Sequence, residues 1–175
     1  MDTHDGRALR IWPYLRGYMP RDTLGQLWTA IERAGDWDQL FWWQVDEGQT
    51  PWPIKGDLVD VISFFQDSED PKVLLIGEHE GQLVGCTWFN LFKPDGQCEG
   101  GVWVDPKWRG IFSRQLVLQS LAYMQANHGI RKVNATTLNP VCRNLCRKCG
   151  FKDEPTDWLL DRRVLYNLSK ELSNG

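Results

Sequence analysis

Histidine is scarce in this chain, and no long apolar run is present. Only three histidines occur among 175 residues, His4, His79 and His128, and they are scattered, so a histidine-built metal centre is not expected. No apolar stretch approaches the roughly 18 residues that a membrane span needs. The opening Met-Asp-Thr-His-Asp-Gly-Arg lacks a basic region followed by an apolar one, so no signal peptide is expected either. Five cysteines, an odd number without regular spacing, read as reduced thiols in a cytoplasmic protein rather than a disulfide framework. Internal repeats and low-complexity segments are missing too, and from Lys107 to Lys152 there is no acid at all.

What is there is enough for one folded domain over residues 1–175, since 42% of the chain is hydrophobic. The net charge of −3 hides an asymmetry. Between Asp36 and Asp70 nine acids face Lys55 alone, whereas Lys107 to Lys152 holds nine bases. A polyanionic ligand belongs with the second segment and a cationic one with the first, unless the two are simply solvated faces that balance each other. Of the ten tryptophans, Trp37, Trp42, Trp43 and Trp52 lie in the acidic segment. Aromatic faces beside carboxylates suit a cation, although a tryptophan-rich core would read the same way.

The stretch with most chemical content is Gly100-Gly-Val-Trp-Val-Asp-Pro-Lys-Trp-Arg-Gly-Ile-Phe-Ser-Arg114. Val102 to Val104 reads as a strand closed by Asp105-Pro106, because proline offers no N–H to a ladder. A loop with Gly110 then leads to a helix starting near Ser113. Free backbone N–H groups beside the positive end of a helix dipole form a ready anion site, and Lys107, Arg109 and Arg114 add full charges. That reads as a pyrophosphate cradle, or else as an ordinary strand-turn-helix connection.

Downstream lies Asn139-Pro-Val-Cys142-Arg-Asn-Leu145-Cys146-Arg-Lys148-Cys-Gly150-Phe151. Its spacing, Asn-x2-small-x2-Leu-x-x-Lys-x-Gly-Phe, resembles the last helix of the GNAT acetyltransferase superfamily, which commonly carries Asn-x2-Ala-x2-Leu-Tyr-x-Lys-x-Gly-Phe. The earlier Val104…Pro106…Arg109-Gly110 segment looks like that family's acyl-CoA loop at the right distance upstream. The resemblance implies an α+β fold, a central mixed, mostly antiparallel sheet flanked by helices, with residues 1–97 on the acceptor side and 98–175 on the acyl-CoA side. It implies acetyl-CoA as acyl donor, held by Val102, Trp103 and Val104 on the strand, by Lys107, Arg109, Gly110, Ile111, Phe112, Ser113 and Arg114 in the loop, and by Asn139 and Cys142. Asn139 also reads as a helix N-cap before Pro140, and both roles can coexist. Two departures stand out: Phe112 falls where the family has a small residue, and Cys146 where it has tyrosine.

Acyl transfer to an amine needs a base and a proton for the departing thiolate. Glu99 is the carboxylate best placed by sequence, since the family often uses a glutamate on this strand; its alternative is an exposed hairpin acid, and Glu78 and Glu80 fit less well. A thiol at Cys146 could still donate a proton, its ordinary pKa of about 8.5 being below tyrosine's. Cys142, Cys146 and Cys149 also share one helix face, where cysteine behaves as a small hydrophobe. Their Cys-x3-Cys-x2-Cys spacing matches iron–sulfur ligation, but it lies inside a helix, so no metal is expected.

Upstream, the pattern predicts a strand over Ala8 to Pro13 and a helix from Asp22 to Ala34 stopped by Gly35, with Leu24, Leu27, Trp28 and Ile31 on one stripe. Asp36 to Gln44 is aromatic-rich, Thr50 to Pro53 must be loop, and Asp57 to Phe65 looks helical. Val73 to Ile76 and Leu83 to Phe92 read as strands joined at Glu80-Gly81, Lys132 to Thr137 as a strand, Val141 to Cys149 as a helix, and Trp158 to Leu168 as a strand or two. The expected activity is an acyl-CoA-dependent N-acyltransferase moving acetyl to a primary amine, on a small molecule, a peptide lysine or an N-terminus. An aminoacyl-tRNA is a less favoured acceptor, and a homodimer stays open. The alternative is a catalytically inactive module of the same fold that binds CoA, nucleic acid or a protein partner.

Overall fold

The computed structural model describes residues 8–14, 22–36, 71–155, 159–160 and 163–172. Its elements are β1 (Arg10–Pro13), α1 (Asp22–Ala34), β2 (Val73–His79), β3 (Gln82–Asn90), β4 (Gln97–Val104), a 3-10 turn (Pro106–Trp108), α2 (Arg109–His128), β5 (Lys132–Thr137), α3 (Pro140–Lys148), β6 (Lys152–Glu154), β7 (Leu159–Leu160), β8 (Arg163–Val164) and β9 (Tyr166–Glu171). Seven strands form one sheet in the order β1-β2-β3-β4-β5-β9-β6. Every neighbouring pair is antiparallel except β4 and β5, which run parallel because α2 carries the chain back between them. The mixed, mostly antiparallel sheet flanked by helices is the expected α+β arrangement.

Strand alternation distributes the core to both faces. Leu74, Ile76, Cys86, Trp88 and Trp103 pack against Leu24, Leu27 and Ile31 of α1. Leu75, Phe89, Cys98 and Val133 turn the other way, onto Val117, Leu121 and Met124 of α2 and Cys146 of α3. A third cluster, Leu9, Val84, Val104, Phe112 and Leu116, closes the base of α2. Gly35 ends α1 as read, and Gly129 ends α2 in the same way; they adopt φ of 69° and 62°, the left-handed conformation that ends a helix. Glu80 and Gly81, at φ 50° and 76°, make the tight turn between β2 and β3.

Several boundaries differ from the sequence reading. β2 runs on to His79, past a register shift at Gly77/Glu78, and β3 stops at Asn90, where Leu91 takes a φ of 50°. The α2 helix starts at Arg109, not near Ser113, because the Asp105 carboxylate accepts from the Lys107 N–H at 3.0 Å and caps a 3-10 turn that runs straight into it. The short strand β6 escapes the pattern, all three of its residues being exposed and polar. The aromatic run from Trp37, the loop from Thr50 to Pro53, the proposed helix from Asp57 to Phe65, and Trp158 lie outside the described residues. Among the described residues, no helix is long and apolar enough to cross a membrane.

Candidate active site

The site is built where β4 and β5 part. They pair only at Gln97–Lys132, Cys98–Val133 and Glu99–Asn134, after which they part and each leads to its own helix. On its other side β4 stays fully paired with β3, from Asn90–Glu99 to Gly85–Val104. The Asp105 N–H donates to the Val84 carbonyl at 2.9 Å, so alternation along the ladder turns the backbone groups of Val102 and Val104 toward the opening. An open strand edge inside a sheet is a template for an extended, amide-bearing ligand.

Because β4 and β5 are parallel, the helices that follow them begin at the same end of the sheet. Neither α2 nor α3 has an acid in its first turn. Two positive helix ends beside one open strand edge favour an anion there. Gly110 is exposed, and a Cβ built on it would meet nothing within 4 Å, so the backbone of that turn is approachable. Arg114, one turn further along, is exposed and forms no ion pair among the described residues. The α3 end is shaped by Asn139, whose side chain accepts from the Val141 N–H at 2.8 Å as an N-cap, while its own N–H donates to the Thr137 hydroxyl at 3.0 Å.

The remaining loop residues differ in exposure. Phe112 is 2% exposed and lies in the core against Leu116 and Val104, with the His79 ring 4.9 Å away. Its side chain is therefore part of the core, and only its backbone belongs to the exposed helix start. Ser113 is buried and donates to the Arg109 carbonyl at 2.5 Å. Lys107 donates to Gln82 at 2.7 Å and sits 4.6 Å over the Trp108 ring. Ile111 is exposed on the first turn.

Arg109 is held inward. Its Nε donates to the Val104 carbonyl at 2.9 Å, and its Nη2 bonds the carboxylate of Asp36, which also accepts from the Trp103 indole N–H at 2.9 Å. Asp36 is buried at 8% exposure, just past the end of α1, and Arg33 of the same helix bonds Asp105 at 2.9 Å. These carboxylates tie the end of α1 to β4 and the start of α2 across about seventy residues of sequence. Sequence reasoning grouped Asp36 with a charge run; a contact at that separation leaves no local signal.

Glu99 stands on β4 where the two strands separate, between Asn90 and Asn134 in register, on the sheet face opposite to buried Cys98. Partial burial holds its pKa above the usual carboxylate value, and Lys93 opposes this only in part. On α3 the three cysteines differ. The Cys142 thiol is lowered to about 7 by hydrogen bonds from Cys146 and Thr137. The Cys146 thiol is pushed far up by donating to Cys142 and by burial, and burial likewise raises Cys149.

Four of the nine bases in the basic segment meet carboxylates. Arg109 meets Asp36, Lys132 lies 3.5 Å from Glu171, and Arg143 and Arg147 both bond Asp153, at 2.8 and 2.5 Å. Of the other five, Lys107 and Arg114 stand near the start of α2, whereas Arg131, Lys148 and Lys152 lie away from both helix starts.

Residues 37–151 match the profile of the acetyltransferase (GNAT) family. Sequence comparison with curated proteins returns no match. Among solved structures, the chain is similar to a spermidine N-acetyltransferase from Vibrio cholerae in complex with CoA and spermine, with a TM-score of 0.68 at 14% identity over 93% of this chain and 95% of that one. It is similar to the GNAT domain of S. lividans PAT, with a TM-score of 0.69 at 17% identity over 94% and 90%. The Campylobacter jejuni N-acetyltransferase PseH gives 0.64 at 11% identity over 94% and 99%.

Proposed function

Since the chain belongs to the acetyltransferase (GNAT) family and is an N-acetyltransferase using acetyl-CoA, we propose that it transfers acetyl to a primary amine by direct attack, without a covalent enzyme intermediate. The observation that carries this reading is the parting of β4 and β5 after Glu99–Asn134, beside two helix starts free of acids. Acetyl-CoA, when bound, supplies an activated acyl group. The chain's own residues do the rest. Val102 and Val104 offer backbone groups to the pantetheine arm as to an added strand, with Trp103 fixed behind them by Asp36. The first-turn N–H groups of α2 around Gly110 and Ile111, with Arg114 and the field of Lys107 and Arg109, suit the phosphates. Asn139 and Cys142 border the arm from α3.

Glu99 takes the proton of the attacking amine, directly or through one water. Its raised pKa brings it nearer to the operating pH of a general base. Cys146, at the position where the family has tyrosine and on the helix face it shares with Cys142, is the proposed proton source for the departing thiolate, although burial pushes its pKa up and weakens it as an acid. The acceptor is cationic or an amine of small size, consistent with the acid-rich segment before residue 71 and with the spermidine named for one structural neighbour. A nucleic-acid acceptor is disfavoured because Arg109, Lys132, Arg143 and Arg147 already meet carboxylates. The test is product mass after incubation with acetyl-CoA and spermidine, a lysine peptide or an amino sugar. An acetylated amine is expected from at least one. Bound acetyl-CoA with no product from any of them would overturn the primary-amine assignment.

A further inference from the structure

The last opening-side carbonyl of β4 is already taken by the chain itself. The Asp105 N–H donates to Val84, which leaves the backbone groups of Val102 and Val104 turned away from β3. Arg109, the first residue of α2, folds back so that its Nε donates to the Val104 carbonyl at 2.9 Å. Its Nη2 reaches on to the Asp36 carboxylate. The planar fork of a guanidinium bridges two acceptors in a fixed geometry that an ammonium lacks. Asp36 is a firm anchor for that fork. It is 8% exposed, its N–H donates to the Ile31 carbonyl at 3.3 Å, and its carboxylate also accepts from the Trp103 indole at 2.9 Å. A second bond, Arg33 to Asp105 at 2.9 Å, joins the end of α1 to the end of β4 without touching the open edge.

We infer that Asp36 is a positioning residue for acetyl transfer: through Arg109 it closes the open edge of β4 at the Val104 carbonyl and so sets where an extended ligand pairs. The inference rests on the proposed acyl-CoA reading of the opening. The Val102 and Val104 carbonyls lie two residues apart on one edge, about 7 Å, and offer a ligand amide the same bond. With the phosphates held at the start of α2, an arm pairing at Val104 would be drawn toward that helix. Glu99 lies the other way, five residues back along β4, about 17 Å from Val104. A guanidinium fixed across the Val104 carbonyl leaves Val102 and the Val104 N–H to the arm. Losing it would leave the phosphate contacts of α2 intact and misplace the reacting end, a loss in turnover rather than in affinity.

The test compares the parent with Asp36→Ala, Arg109→Met and the double variant, with Asp36→Asn standing in if Asp36→Ala does not fold. Acetylation is measured with the best acceptor among spermidine, a lysine peptide and an amino sugar, and acetyl-CoA affinity by calorimetry. Each single variant should lose at least about tenfold in kcat and keep acetyl-CoA affinity within about threefold. The double variant should fall no further than the worse single, since both break one link. Denaturant titrations read that link without ligand, and the stability losses should be less than additive. Arg33→Gln, which breaks only the second bond, should keep the parent's kcat. Weaker acetyl-CoA binding with kcat unchanged would make Arg109 a phosphate-binding cation and overturn the inference. So would losses that multiply in the double variant, an equal kcat loss in Arg33→Gln, or a lower Tm with unchanged kinetics. A parent that binds no acetyl-CoA would overturn the acyl-CoA reading and this inference together; a parent that binds it, with variants at full kcat, would overturn this inference alone.

Discussion

Glu99, the proposed general base, carries a stability cost at a single residue. Its pKa is raised in the folded chain by burial, so the unfolded chain ionises more readily. Stability is therefore greatest below the unfolded carboxylate value and is lost as pH rises through the folded one. Glu99→Gln, which keeps the shape and cannot ionise, should lower turnover by about a hundredfold or more. It should leave acetyl-CoA affinity unchanged and melt no lower than the parent at pH 7, an advantage that vanishes in acid. Rates and melting curves over pH check both halves, and unchanged turnover would remove Glu99 as the base. Asp36 makes the opposite case. It holds both the Trp103 indole and Arg109, so Asp36→Ala should destabilise the fold by about 1–3 kcal/mol in denaturant titrations. The strand position of Glu99 was legible because its strand and loop form a local pattern. Asp36 was not, since its partners lie 67 and 73 residues away.

At the scale of elements, glycines show how tightly β4 is hemmed in. A Cβ on Gly85 would lie 2.2 Å from the Trp103 carbonyl oxygen, and one on Gly101 would lie 2.2 Å from the Trp88 ring. Gly25, inside α1, faces open space. Gly85→Ala should therefore cost about 1–3 kcal/mol or more, because backbone cannot move aside. Gly25→Ala should add about 0.5–1 kcal/mol, the ordinary gain inside a helix. Unfolding midpoints of the two variants should shift in opposite directions. Caps and turns such as Asn139, Gly35 and Glu80-Gly81 were readable because their chemistry is complete within a few residues. The start of α2 misled because Arg109-Gly110 looks like loop until Asp105 is seen to cap the 3-10 turn before it. β6 offered only exposed Lys152-Asp153-Glu154, which carries no alternation to read.

At the scale of the molecule, the two motifs about thirty residues apart gave the family and the sheet, since each marks a strand-to-helix junction on one side of the opening. They gave no account of the charge segregation, because four of the nine bases in the second segment find carboxylates elsewhere in the fold. What remains is an opening in the sheet with two positive helix ends beside it. The most direct test is thermal unfolding with and without acetyl-CoA at about 100 times its Kd. Binding to the folded chain alone should add about 2.7 kcal/mol, a rise of about 5–10 °C for a domain of this size. An unchanged Tm, with free CoA equally without effect, would contradict an acyl-CoA site between β4 and β5.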